Sequence, residues 1–414
     1  MRRVLIVLAV VAALGAACGD DDEESAGTTT AAEGGPASIT VEVDGTPDDF
    51  TMSALAYFPQ AVTVHAGDTV RFHSNDTGEP HTVTLGGIVD AGLNAFNALP
   101  DEIKNADGPP SEEDIAKLPA DQQKAVQDAL ALDEKLPPLL PDGPGDANQL
   151  GANPCFQASG DPATDEACEK VTQPAFDGTQ SLYNSGYLPD DATFEVELAD
   201  DIAPGTYNYF CLLHRQGMTG TITVVAETQD VPSSAQVADT AADELESRFA
   251  SKLRAQNQEL AAKPADEPLA GAPPVEGVEE GALNVFAPAE LSVKAGSAVT
   301  WTVAGPHTIA VDAPADAVGA MAKAPDGTWH ANQKAFEPVG GAGAPPPSEE
   351  PPAENAPPVQ IDGGAYGGSG FHSSGFIGSF GPPGYQYTLT FAKAGTYTVQ
   401  CQIHPDMKQT VKVA

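Results

Sequence analysis

The sequence predicts an all-β protein built from two β-sandwiches with long loop insertions, joined by a linker α-helix. Three observations predict it. Apolar and polar residues alternate over short runs such as "AVTVHAGDTVRF", "TFEVELA", "GTYNYF" and "YTLTFA", the mark of half-buried strands. Gly (41) and Pro (37) are abundant and aromatics make up only 6% of the 414 residues, which favours short strands and turns over a helical bundle. The strand-like runs also come in two sets in the same order, so one unit is repeated.

The chain opens with "MRRVLIVLAVVAALGAAC". Arg2 and Arg3 precede an uncharged apolar run of fourteen residues. A bilayer span needs ~20, so residues 1–17 are expected to be an export signal. "LGAAC" resembles a bacterial lipobox, with Leu14 four before the cysteine rather than three. The resemblance implies cleavage before Cys18 and a diacylglycerol on its sulfur. Residues 18–36, polar and acidic, are expected to form a disordered tether. Such a protein sits at the bacterial cell envelope, on the outer face of the cytoplasmic membrane or the periplasmic side. A secreted protein with an incidental cysteine is the alternative.

Two units follow, expected at residues 37–227 and 275–414. "YFPQAVTVHAGDTVRF" (57–72) parallels "FAPAELSVKAGSAVTW" (286–301), with Pro59 matching Pro288, Gly67 matching Gly296 and Phe72 matching Trp301. "GEPHTVTL" (78–85) parallels "AGPHTIAV" (304–311), and "NSGYL" (184–188) parallels "SSGFI" (373–377). Last come "PGTYNYFCLLHRQGMTGTITV" (204–224) and "AGTYTVQCQIHPDMKQTVKV" (394–413). Between the His and Cys blocks each unit carries an expected insertion. The first, about 88–176, includes two short helices with Ser111 and Asp121 as N-caps. The second, about 313–365, is rich in Pro, Gly and Ala and reads as an extended, mobile loop. Residues 228–274 form the expected linker. Within it, Val237, Ala241, Leu245, Phe249 and Leu253 recur every four residues over a helix at about 233–263. Ser233 and Gln236 have capping-box spacing. Its reading is a spacer packed on a domain surface.

Five cysteines sort by context. Cys18 is the lipid site. Cys155 and Cys168, with twelve residues between them, read as a disulfide outside the cytoplasm. Cys211 and Cys401 lie in "CLLHRQGM" and "CQIHPDM", each with His and Met close behind. Strand ends of a sandwich meet at one pole, so His81 can join Cys211, His214 and Met218, and His307 can join Cys401, His404 and Met407. Two imidazoles and a thiolate with a distant thioether are the ligand type of a blue-copper centre. Zinc competes, but structural zinc sites seldom use Met.

On these residues the two units resemble cupredoxins of the plastocyanin and amicyanin type. Both copies carry "PHT" and a Tyr-x-x-x-Cys strand (Tyr207, Tyr397), and "CQIHPDM" has the amicyanin Cys-x2-His-x2-Met spacing. The match covers the strands, roughly half the chain. It implies Greek-key sandwiches, one type 1 copper ion in each, and the eight side chains just named as ligands. It also implies that the loop histidine, His214 or His404, is the exposed exit for electrons. Where many cupredoxins carry Asn after the first ligand His, this chain has Thr82 and Thr308.

The expected function is one-electron transfer by a membrane-anchored, two-copper protein, and not catalysis. Two-domain copper nitrite reductases and multicopper oxidases need further His-rich sites and place His beside the copper Cys. Here Phe210 and Leu212 flank Cys211, Gln400 and Gln402 flank Cys401, and no His-x-His occurs. Copper storage or delivery is the other alternative, weakened by only five Met. His65, His73, His330 and His372 are assigned structural or solvent roles. The net charge of −40 disfavours nucleic acid and favours a cationic redox partner such as a cytochrome, or serves solubility alone.

Overall fold

The alternating runs become strands of two-sheet sandwiches in the computed structural model, which describes residues 36–75, 77–104, 112–140, 149–160, 172–278, 280–344, 356–378, 384–404 and 406–414. The signal 1–17, Cys18 and the tether through residue 35 lie outside the described residues, as do Ser111 and Cys168. Among the described residues no helix is long and apolar enough to cross a membrane.

The first half contains β1 (Ser38–Val43), β2 (Met52–Ala54), β3 (Tyr57–Phe58), β4 (Ala61–His65), β5 (Thr69–Ser74), β6 (Thr84–Leu85), β7 (Cys155–Gln157), β8 (Leu182–Asn184), β9 (Thr193–Glu197), β10 (Gly205–Cys211) and β11 (Arg215–Val225). One sheet runs β3-β1-β5-β9 and the other β4-β11-β10-β6-β8-β7. β1 pairs with β5, and β4 with β11, in parallel. Alternation does the sorting: along β5, Val70, Phe72 and Ser74 point inward while the residues between them reach solvent. Val41, Val64, Phe72, Val196, Tyr209 and Ile222 fill the space between the sheets.

The second half repeats the plan with β12 (Leu269–Ala270), β13 (Gly281–Leu283), β14 (Phe286–Ala287), β15 (Glu290–Val293), β16 (Ser297–Val303), β17 (Ala310–Val311), β18 (Met321–Lys323), β19 (Trp329–Ala331), β20 (Val359–Tyr366), β21 (His372–Ser373), β22 (Tyr385–Phe391), β23 (Gly395–Gln400) and β24 (Lys408–Val413). Its sheets run β14-β12-β16-β22-β20 and β15-β24-β23-β17-β21. Trp301 occupies the core where Phe72 does, and its indole N–H donates to Gln409 at 2.8 Å.

Five strands fall where the sequence predicts loops or linker. β18 and β19 pair within the expected insertion 313–365, and β20 begins in it and ends one residue beyond. Gly363 and Gly364 break its alternation at a bulge, and a side chain on Gly363 would strike the Tyr387 ring, 2.3 Å from its hydroxyl. β12 lies inside the expected linker and is only two residues long. β7 extends the first half's sheet from within the insertion 88–176.

Among the described residues of that insertion four helices form: α1 (Gly87–Asn97), α2 (Asp101–Lys104), α3 (Glu112–Lys117) and α4 (Ala120–Asp133). α4 starts behind Pro119, so Asp121 stands in the first turn and is not the cap. The two insertions meet. Asn153 donates to the Trp329 carbonyl at 3.2 Å and accepts from its N–H at 2.8 Å, while Tyr187 packs edge-on to the Trp329 ring.

Residues 36–414 form one compact unit. Helices α5 (Ser234–Leu245) and α6 (Ser251–Ala261) are continuous through a π-turn at Glu246–Ala250. Ser233 and Gln236 close the capping box. Residues spaced by four drift about 40° per step around an α-helix. The wider π-turn takes up that drift and keeps Val237, Ala241, Phe249 and Leu253 on one buried face. Val237 joins the first half's core, and Ala241, Phe249 and Leu253 cluster with Met52, Ala54 and Phe58 of the first half and with Ala272, Val278 and Leu283 of the second.

Beneath the helix, β2 and β13 pair antiparallel as Ala54·Gly281, Ser53·Ala282 and Met52·Leu283. In the repeat alignment that joins Pro59 to Pro288, residues 52, 53 and 54 correspond to 281, 282 and 283. The ladder therefore maps onto itself when the halves are exchanged, and Ser53·Ala282 marks an approximate two-fold axis.

Phe249 is 3% exposed and meets Phe58 edge-on at 5.7 Å. Phe249→Ala is expected to cost about 3–5 kcal/mol in urea denaturation. Both tryptophans, Trp301 and Trp329, lie in the second half. The fluorescence midpoint of the variant should therefore separate from the circular dichroism midpoint. Coincident midpoints at wild-type stability would show that the shared core does not couple the halves.

Candidate metal centres

Each half closes a sulfur between two imidazoles. In the first, His81 sits just before β6, Cys211 ends β10, and His214 follows in the turn before β11. The repeated Ser-Gly block braces the His segment: Val83 N–H donates to Ser185 Oγ at 2.8 Å, and Leu188 N–H to the His81 carbonyl at 3.0 Å. In the second half Ile309 N–H donates to Ser374 Oγ at 2.8 Å, and His307 and Ile377 exchange both backbone bonds. The block that looks like a spacer in sequence is the clamp that returns each isolated histidine to its distant cysteine.

Among the described residues, two groups of three or more ligand-type side chains have their ligand atoms all within 4.8 Å of one another: His81, Cys211, His214 and His307, Cys401, His404. Cys401 Sγ is 3.4 Å from His404 Nδ1 and 3.9 Å from His307 Nδ1. In the first group the two rings lie 5.0 Å apart, and both His81 Nδ1 and His214 Nδ1 are buried without a hydrogen-bond partner. Met218 and Met407 are buried in the same apolar clusters as Cys211 and Cys401, respectively.

The threonine that follows the first histidine of each group, Thr82 or Thr308, works in both halves. Thr82 N–H points at Cys211 Sγ (3.5 Å) and Thr308 N–H at Cys401 Sγ (3.3 Å). Their hydroxyls accept from the backbone N–H following each cysteine, Leu212 at 2.8 Å and Gln402 at 2.6 Å. One residue thus ties the His segment to the Cys loop and directs a donor at the sulfur.

Burial opposes ionisation of both thiols, yet the facing imidazoles outweigh it and hold Cys211 and Cys401 well below the ordinary thiol range. Burial likewise opposes protonation of His81 and His404. His81 is nevertheless held above its usual value by Asp44 and Cys211, and His404 by Cys401 and Glu79. For His307 burial wins, and its pKa falls.

Two acids that no motif announces stand behind these rings. Asp44, fully buried with φ 62°, accepts from His81 Nε2 at 2.9 Å. Its other bonds come from Gly45 N–H (2.6 Å), Ala54 N–H (2.5 Å) and Thr77 Oγ1 (2.5 Å). Glu79 of the first half accepts from His404 Nε2 of the second at 3.1 Å. The legible signal for Glu79 was the contrast between "GEPHT" and "AGPHT"; Asp44 merely follows an apolar strand and reads as a turn residue.

The resemblance implied an exposed loop histidine. The structure corrects this for His404, which is 2% exposed because the first half covers it. His214 is half-buried beside a cavity of about 300 Å³ that also borders Glu79, Pro306, Phe376 and Ile403. The other histidines stay out of both groups. His65 bonds the Gln229 carbonyl, His73 bonds Glu42 and Asp191, and His330 is exposed. His372 is buried against Tyr366. Cys155 is disulfide-bonded; its expected partner, Cys168, lies outside the described residues.

No family model matches the chain, and no curated protein matches it. Among solved structures it is similar to the Cu(I) form of an amicyanin mutant, at 11% identity over 47% of this chain and 87% of that one, with a TM-score of 0.20. It is also similar to dithionite-reduced auracyanin from Roseiflexus castenholzii, at 20% identity over 46% of this chain and 97% of that one, TM-score 0.19. Auracyanin B aligns at 18% identity over 48% and 96%, TM-score 0.21. The fold rests on the strand order and not on these scores: each half is a β-sandwich of two sheets.

Thr82→Val and Thr308→Val keep the shape of the side chain but leave Leu212 N–H or Gln402 N–H buried without a partner. Each is expected to destabilise the metal-free chain by about 1–3 kcal/mol in urea denaturation. Unchanged midpoints would show that the threonine hydroxyl does not tie the two segments.

Proposed function

We propose that this chain is a two-site type 1 copper protein of the bacterial cell envelope, anchored through Cys18, that carries single electrons between redox proteins. One observation supports this most. In each half a buried sulfur and two inward-facing imidazole nitrogens converge, with a buried Met in the same core. The orphaned Nδ1 atoms of His81 and His214 are what a metal-ligating pair requires. His81, Cys211, His214 and Met218 would hold one copper ion, and His307, Cys401, His404 and Met407 the other. Bound copper would supply reversible one-electron chemistry. Sulfur suits its reduced state and imidazole suits both, whereas zinc seldom takes Met.

The protein's own part is to fix the donors and keep water out. The sulfurs are fully buried, and each receives a backbone N–H from its threonine. Catalysis is disfavoured by the residues flanking each cysteine, none of which is His. His214, the less buried loop histidine, is the route by which an external partner approaches. The charge of −40 favours a cationic partner such as a cytochrome and disfavours nucleic acid.

Copper titration followed by visible and electron paramagnetic resonance spectroscopy tests the reading. Two equivalents with intense visible absorption are expected, falling to one in Cys211→Ser and in Cys401→Ser. Colourless Cu(I) binding beyond two equivalents would point to storage or delivery instead. Further copper signals with turnover of nitrite would point to a reductase.

With a cationic cytochrome as partner, the second-order electron-transfer rate should fall as ionic strength rises, because salt screens the attraction. A rate independent of salt would remove the electrostatic part of the reading.

A further inference from the structure

Both carboxylates that back an imidazole come from the first half. Asp44 follows the last residue of β1 and Gly271 the last residue of β12, so the two occupy equivalent places. Both have positive φ, 62° and 79°. Glu79 and Gly305 are equivalent in the same way, each two residues before its histidine. A β-carbon on Gly271 would stand 2.2 Å from His307 Nε2, so the second half has no room for an acid there. The duplication has kept the six ligands of the two clusters and made the residues behind them unlike.

The first half therefore supplies an acid to a ring outside itself. Glu79 Oε1 lies 3.1 Å from His404 Nε2. The contact is built by close backbone approach. A β-carbon on Gly78 would stand 2.0 Å from the Ile403 carbonyl oxygen and 2.8 Å from the His404 α-carbon. The opposite face of the same ring is turned inward, with Nδ1 3.4 Å from Cys401 Sγ. Gly305, at the place of Glu79, has no side chain with which to return the contact to His214.

We propose that Glu79 is a positioning residue of the second centre, holding His404 by Nε2 with Nδ1 aimed at Cys401, so that this centre is complete only while the two halves are docked. The proposal rests on the copper reading above. The first centre is self-contained, because Asp44 backs His81 from within the same half. A carboxylate on the distal nitrogen fixes the ring and makes it a stronger donor, which favours the more highly charged oxidised metal. Losing such a partner typically weakens metal binding by about 10–100-fold.

The test uses the full chain carrying Cys211→Ser, in which only the second centre binds, with and without Glu79→Gln or Glu79→Ala. Glu79→Ala is expected to weaken Cu(II) binding about 10–100-fold. The midpoint potential should rise by about 59 mV for each tenfold by which Cu(II) is weakened more than Cu(I). Glu79→Gln keeps an acceptor without the charge and should fall between. In the Cys401→Ser chain, where only the first centre binds and Glu79 bonds neither ring directly, Glu79→Gln should shift the potential less than it does in the Cys211→Ser chain, and Asp44→Asn should raise it. A readout free of copper accompanies these: nitrogen NMR of the metal-free chain should show a protected His404 Nε2 proton that Glu79→Ala abolishes. Wild-type affinity, potential and proton protection in Glu79→Ala would overturn the proposal while leaving the copper reading intact. A wild-type chain that binds no copper would overturn the copper reading, and the NMR result would still decide whether Glu79 holds His404.

Discussion

A thiol sulfur sealed inside a β-sandwich is the constraint on which the rest depends. Cys211 and Cys401 are both fully buried, in clusters otherwise made of aliphatic and aromatic side chains. An ionised sulfur there is costly unless something polar faces it. Two imidazoles and one backbone N–H do so in each half, which forces a histidine more than ninety residues away in sequence to return to the same point. The threonine after that histidine, the Ser-Gly block that clamps it and the paired sheets that carry both segments all serve that return. The strand registers are fixed by a polar demand at one pole as much as by apolar alternation along the sheets.

The second constraint is that the halves do not stand apart. The β2·β13 ladder, the helix stripe and the Glu79–His404 contact lie in one continuous body. Apolar burial along the helix supplies the attraction; the backbone ladder and the glycine approach set the registration. The loop histidine of the second half is covered as a result, while that of the first half borders a cavity. Two centres with the same side chains thus face different surroundings, one assembled inside its own sandwich and one closed by its neighbour.

How much of this was legible follows from the range over which each feature is encoded. Strands, the capping box of Ser233 and the helix stripe are local, and periodicity reveals them. The two groups of His and Cys that converge were legible because each pattern occurs twice in the sequence, so chance pairings drop out. β20 was hidden by the two glycines at its bulge, and β12 was too short to alternate. Asp44 and Glu79 were not legible as parts of the centres. Their partners lie 37 and 325 residues away; Asp44 reads locally as a turn residue, and the Glu79–Gly305 contrast marks a difference between the repeats without naming a partner. Contacts made only when the halves meet leave no period in a sequence.

The self-mapping ladder at Ser53·Ala282 bears on what each half is free to carry. An antiparallel pair that is unchanged when its members are swapped is a seam that two identical chains can share, and here it joins the halves of one polypeptide. In a homodimer every substitution appears twice, so an acid at position 79 would confront its own copy's partner ring on both sides. Joining the copies covalently lifts that obligation. Each side can then carry its own residue, and here glutamate and glycine stand at equivalent places, Glu79 and Gly305.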